Sequence, residues 1–149
     1  MVKPRVSIAM LGIDQHEVGA IAVACLLRDA GMEVIYAGCY NTPATLIRMA
    51  IDEDVDVIGI SCHSWEYLES VPELMAMVSA ESLDAAVVLG GSVITAGDAD
   101  AMRQLGVAAI FGPDAGAEQM IQDIRRLAET RQRKMRDGKP VVPGNTASS

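Results

Sequence analysis

The stretch Ile8-Ala9-Met10-Leu11-Gly12-Ile13-Asp14-Gln15-His16-Glu17-Val18-Gly19 sets the frame for the whole chain. An apolar run ends in a loop carrying Asp14, His16 and Gly19, and a helical pattern follows. The order is strand, loop, helix, the opening half of a βαβ unit. Two readings of the loop are open. Asp14 with Glu17 three residues on fits a helix capping box. Alternatively, His16 offers one ring nitrogen to a metal while Asp14 holds the other and fixes the tautomer. Gly19 leaves the backbone open to close approach by a bulky group.

Outward from this stretch the alternation repeats. Short apolar runs at 6–10, 33–37, 55–60, 85–89 and 108–111 read as strands. Helical patterns fall at 18–30, 43–53, 68–80, 98–105 and 116–133. Gly31 and Gly106 stand where helix C-terminal caps belong, and Thr42 with Pro43 reads as a helix start. Continuous apolar strands separated by helices specify a parallel sheet covered on both faces. The expected fold is therefore α/β and flavodoxin-like, a doubly wound five-stranded parallel sheet of order 2-1-3-4-5. Ligands of such sheets bind beyond the strand carboxyl ends, where the winding reverses between strands 1 and 3. Asp14, His16 and Gly19 lie at that rim after strand 1. Ser61, Cys62 and His63 follow strand 3, and Gly90 and Gly91 follow strand 4.

Composition narrows the function classes. The chain has 149 residues, half of them hydrophobic and only 3% aromatic, so one domain with an aliphatic, Met-filled core is expected. No apolar run approaches the roughly 18 residues of a membrane span, and no signal peptide is evident. Three widely spaced cysteines suit a reduced, cytoplasmic protein. Net charge is -8, but residues 126–139 carry +4 and the remainder about -12. An acidic body argues against nucleic acid. The basic segment reads as the solvated end of the last helix, suited to the dipole there.

Several ligands of this fold are set aside by the residues. A phosphoacceptor receiver needs Asp after strand 3 and Lys after strand 5, where Ser61 and Phe111-Gly112-Pro113 stand. No Ser/Thr-rich phosphate loop and no Gly-x-Gly-x-x-Gly follows strand 1. A Cys62 nucleophile beside His63 and a lone metal on His16 and His63 remain minor alternatives.

From Arg5 to about Leu127 the chain resembles the cobalamin-binding domain of the methylmalonyl-CoA mutase family, above all its separate small subunits. The segments Arg28–Tyr36, Glu53–Gly59 and Leu105–Pro113 carry the likeness, together with Asp-x-His-x-x-Gly (Asp14, His16, Gly19) and Gly-Gly (Gly90, Gly91). The family's Ser-x-Leu stands here as Ser61-Cys62-His63, and Gln15 and Trp65 replace common glycines. The resemblance implies a cobalamin-binding domain over 1–136, and the composition after it reads as a disordered tail over 137–149. It implies that His16 replaces the cofactor's own base as lower cobalt ligand, with Asp14 bonded to its distal nitrogen. It implies further that Gly19 makes room for the displaced nucleotide tail, that Ser61 bonds the tail's base, and that Gly90 and Gly91 let the tail lie against strand 4. Gln15 and His63 are expected to join the set of cofactor contacts. Three roles are open to His63: to hydrogen-bond the nucleotide, to bind a partner or to turn outward. Trp65 fills part of the tail pocket or stacks on a base.

The implied function is the cofactor-binding subunit of an adenosylcobalamin-dependent acyl-CoA mutase, an isomerase of carbon skeletons. Acyl-CoA would sit in a (β/α)8 barrel of a separate large subunit. The alternatives are a corrinoid carrier for methyl transfer and a non-catalytic cobalamin sensor.

Overall fold

The computed structural model describes residues 2–14 and 16–138. Gln15 and residues 139–149 of the expected tail lie outside the described residues. The elements alternate as expected: β1 (Arg5–Leu11), α1 (Glu17–Asp29), β2 (Glu33–Asn41), α2 (Pro43–Asp52), β3 (Val57–Ser61), α3 (Tyr67–Ala80), β4 (Ala86–Gly90), α4 (Ala96–Gln104), β5 (Ala109–Phe111) and α5 (Ala117–Gly138). All strand pairs are parallel, and the sheet order is β2-β1-β3-β4-β5.

The strand pleat sorts the core into two layers. Val6, Ile8 and Met10 of β1 face one side with Val57 and Val88, packing on Leu27 of α1 and Ile124 of α5. Ala9 and Leu11 face the other with Ile58, Ile60 and Leu89, packing on Leu46 of α2 and Leu74 of α3. Burial on both faces explains why the strands read as unbroken apolar runs. Among the described residues, no helix is long and apolar enough to cross a membrane.

The punctuation works as the sequence suggests. Thr42 caps α2 through a reciprocal box: its hydroxyl accepts from the Thr45 amide at 3.2 Å, and the Thr45 hydroxyl accepts from the Thr42 amide at 2.9 Å. Gly31 adopts φ +94° after α1, so that the Met32 amide returns to the Leu27 carbonyl at 3.1 Å.

Several boundaries differ from the expectation, three of them for physical reasons that the hydrogen bonds and helix length show. β2 runs four residues past 37, because irregularities against β1 at Gly38 and Tyr40, both at positive φ, let pairing resume to Asn41. The Asn41 side chain donates to Met10 O at 3.3 Å and Gly38 O at 2.8 Å, which holds that irregular end. β3 begins at Val57 rather than 55, since the Val55 amide is spent closing α2 on Ala50 O. α5 continues through Gly138 rather than stopping near 133, so residues 137 and 138 belong to the helix.

The basic segment is not all solvated. Arg131 is 9% exposed. Its guanidinium donates to Asp56 Oδ1 at 2.7 Å and Asp54 Oδ1 at 2.9 Å. Asp56 Oδ2 also accepts from the Arg5 amide and from Gln132 Nε2, both at 3.0 Å. This cluster ties α5 to the amino edge of β1 and β3. Removing the cation leaves a buried, uncompensated carboxylate. Arg131→Ala is therefore expected to lower stability by about 3 kcal/mol in urea unfolding. Arg126→Ala, losing only an exposed pair to Asp123, is expected to cost less than about 0.5 kcal/mol.

Candidate functional site

β1 delivers its last buried residue, Leu11, to the carboxyl edge of the sheet, and the chain turns there through Gly12 and Ile13. The turn is held from two sides. The Gly12 amide donates to Asn41 O at 2.8 Å, and the Ile13 amide donates to the Glu66 carboxylate at 2.9 and 3.2 Å. Glu66 was not singled out by sequence reasoning. The available signal was that it is the one acidic residue in the loop from β3 to α3.

Asp14 follows, 4% exposed. Its Oδ1 accepts from the His16 amide at 3.1 Å and lies 2.7 Å from His16 Nδ1. Its Oδ2 accepts from the His63 amide at 2.8 Å. The capping-box reading gives way. The N-cap of α1 is His16, and Asp14 spends its oxygens on the His16 ring and on two amides. Glu17 is occupied instead by the Tyr36 hydroxyl at 2.7 Å. Burial pushes the Asp14 carboxyl up, but the His16 ring and the two amides outweigh it and hold the carboxyl below its ordinary value. The ionised carboxylate fixes the proton of a neutral imidazole on Nδ1 and leaves the lone pair on Nε2. Nε2 has no hydrogen-bond partner among the described residues, and the His16 side chain is 67% exposed.

The other rim residues line one cleft of about 310 Å³. It lies between the sheet and helices α1 and α5, with Ile8, Val23, Val88, Phe111, Met120 and Ile124 in its walls. Gly19, Ser61, His63, Gly90 and Gly91 all border it. Asp14 and His16 stand beside it rather than in it, joined through His63, whose ring centroid is 5.8 Å from that of His16. Sequence reasoning missed the helix residues Val23, Met120 and Ile124. Their apolar spacing was visible, but it reads equally as ordinary core.

The glycines differ in what they do. Gly91 has φ +151°, and a Cβ there would fall on the Cys62 carbonyl, so no side chain fits. A Cβ on Gly90 would meet Phe111 O at 3.6 Å, an ordinary contact, so its bareness matters for the cleft rather than for the fold. A Cβ on Gly19 would stand 3.2 Å from His63 Nε2. His63 is therefore turned over the first turn of α1 and into the cleft. Trp65, by contrast, is 60% exposed and is not among the cleft residues, so it does not fill the pocket.

Two alternatives lose support. Cys62 is 2% exposed, and burial together with the Asp14 charge pushes its thiol up to about 12, which suits no nucleophile. Among the described residues, no three His, Cys, Asp or Glu side chains gather to hold a metal ion. In native protein at pH 8, Ellman's reagent is expected to titrate Cys25 and Cys39, both half-buried, and to reach Cys62 only on unfolding. Prompt reaction of Cys62 would contradict its placement.

This geometry sits within a known family. Residues 4–122 match the model of the B12 binding domain. The chain is 39% identical over 127 residues to the 2-hydroxyisobutanoyl-CoA mutase small subunit of Aquincola tertiaricarbonis, covering 85% of this chain and 93% of that one. It is 37% identical over 125 residues to the pivalyl-CoA mutase small subunit of Xanthobacter autotrophicus, covering 84% of each. In three dimensions it is similar to a cobalamin-binding protein from Desulfitobacterium hafniense, with a TM-score of 0.72 and 18% identity, covering 84% of this chain and 59% of that one. At that identity the likeness speaks for the fold alone. With four-fifths of its length matched, the chain belongs to the B12-binding domain family.

Proposed function

We propose that this chain is the cofactor-binding small subunit of an adenosylcobalamin-dependent acyl-CoA mutase, taking the cofactor base-off with His16 as lower cobalt ligand. The observation that carries the reading is the 2.7 Å contact of Asp14 with His16 Nδ1, which leaves Nε2, on an exposed ring, without a hydrogen-bond partner among the described residues. The residues fit the group. A corrin needs one basic nitrogen below its metal, and a displaced nucleotide needs a slot of its own. His16 supplies the first. The cleft bordered by Gly19, Ser61, Gly90 and Gly91 supplies the second.

When bound, the cofactor supplies a reactive carbon radical from its cobalt–carbon bond, the chemistry of a 1,2-rearrangement. The protein's share is positional. Asp14 holds the ring's orientation and tautomer, and the His63 amide fixes Asp14 in turn. Glu66 immobilises the turn that presents them. The cleft presents a mostly apolar wall to whatever enters it.

The described residues form a single five-stranded sheet with its helices. Substrate binding is assigned to a separate large subunit with a (β/α)8 barrel, a fold of about 250 residues. The small-subunit relatives support that division. Three free thiols, one of them buried, suit a reducing cytoplasm.

Calorimetric titration with cobalamin tests the reading. Asp14→Asn is expected to weaken binding by about 10–100-fold, as loss of an outer-shell partner does, and His16→Ala by more. With cofactor alone, the chain is expected to leave acyl-CoA unchanged, and isomerisation is expected to appear only with a barrel subunit. Unaltered affinity in His16→Ala would sink the proposed ligation. Turnover by the isolated chain would sink the division of labour.

A further inference from the structure

Among the described residues, Ser61 and His63 are the two polar side chains lining the cleft, and no Lys or Arg lines it. Its walls are otherwise aliphatic and aromatic carbon, backbone and proline. A lone imidazole turned into such a slot calls for a polar partner. The His63 amide is fixed on Asp14 Oδ2 at 2.8 Å, the carboxylate that also orients His16. Its ring lies over Gly19, with Nε2 3.2 Å from where a Cβ would stand, and 5.8 Å from the His16 ring, centroid to centroid. Gly19 has no side chain to push it aside. The ring therefore occupies the passage from the His16 donor to the apolar interior, held in register with that donor by one shared carboxylate.

A nucleotide tail has two chemically distinct parts. The flat heterocycle suits the apolar interior. The sugar–phosphate linkage carries a negative charge and suits a mouth with N–H donors. Because the linkage joins the heterocycle to the corrin, it lies between the metal ligand and the interior, which is where His63 stands. We propose that His63 is a specificity-determining residue that donates a hydrogen bond to the anionic sugar–phosphate linkage of the cofactor's nucleotide tail. This rests on cobalamin as the ligand, and it separates binding of the tail (His63, Ser61) from binding of the metal (His16, Asp14).

The test compares cobalamin with cobinamide, the same corrin without the nucleotide, by calorimetry on the full chain. Wild type is expected to prefer cobalamin. His63→Ala is expected to weaken cobalamin at least about tenfold, the loss of one hydrogen bond to a charged group, and to leave cobinamide unchanged. His63→Gln, which keeps an N–H donor, is expected to restore part of the preference, with native far-UV circular dichroism in both variants. Equal losses for both ligands would show a structural role only and overturn the inference. So would unchanged or tighter cobalamin binding in His63→Ala, which would mark the ring as a mere obstruction. Wild type binding neither ligand would overturn the cobalamin reading itself, and this inference with it.

Discussion

A buried carboxylate organises this molecule. Asp14 receives the His16 amide and ring on one oxygen and the His63 amide on the other. Two loops that leave neighbouring parallel strands are thereby joined over the point where the sheet's winding reverses. The carboxylate stays charged because three donors outweigh its desolvation. That charge sets the tautomer of His16, and the tautomer decides that Nε2 is the nitrogen on offer. Placing Asp14 just past the buried end of β1 makes the site depend on strand pairing. A slip of β1 by one residue would reverse the pleat and carry Met10 and Leu11 to the wrong layers.

The two edges of the sheet are built to opposite ends. At the amino edge, Arg131, Asp56, Asp54, Arg5 and Gln132 close upon one another, and charge is consumed by charge. At the carboxyl edge the chain leaves space: glycines where side chains would intrude, an aliphatic slot, and a histidine with one nitrogen unpaired among the described residues. Both edges span α5, whose amino-terminal half lines the cleft through Met120 and Ile124 and whose carboxyl-terminal half carries Arg131. Locking the far end of that helix keeps the cleft wall in place.

Much of this was legible in the chain because it rests on local rules. Apolar runs with intervening helical patterns fix a parallel sheet, and the strand order and crossover positions follow. Asp14, His16, Gly19, Ser61, Gly90 and Gly91 fall at strand ends, so the topology alone gathers them. What was not legible depends on tertiary pairing. Asp14 fits a cap and a clamp on the His16 ring equally well in one dimension; in the fold its oxygens go to the His16 ring and amide and to the His63 amide, 49 residues away. Arg131 looks like one more cation of a solvated run until Asp54 and Asp56 are placed beside it. The direction of His63 depends on Gly19 lying beneath it, and that of Trp65 on finding no partner in the cleft. Glu66 bears on the loop at a distance of 53 residues, beyond any periodic pattern.

The central claim, that this chain offers His16 to cobalt, is tested most directly by electron paramagnetic resonance. The 15N-labelled protein is mixed with unlabelled cob(II)alamin, and the superhyperfine splitting reports the axial nitrogen. A protein imidazole gives doublets, whereas the cofactor's own base gives triplets. The account predicts doublets that vanish in His16→Ala and persist in His63→Ala. Triplets in the wild type, or doublets that follow His63 instead, would contradict it.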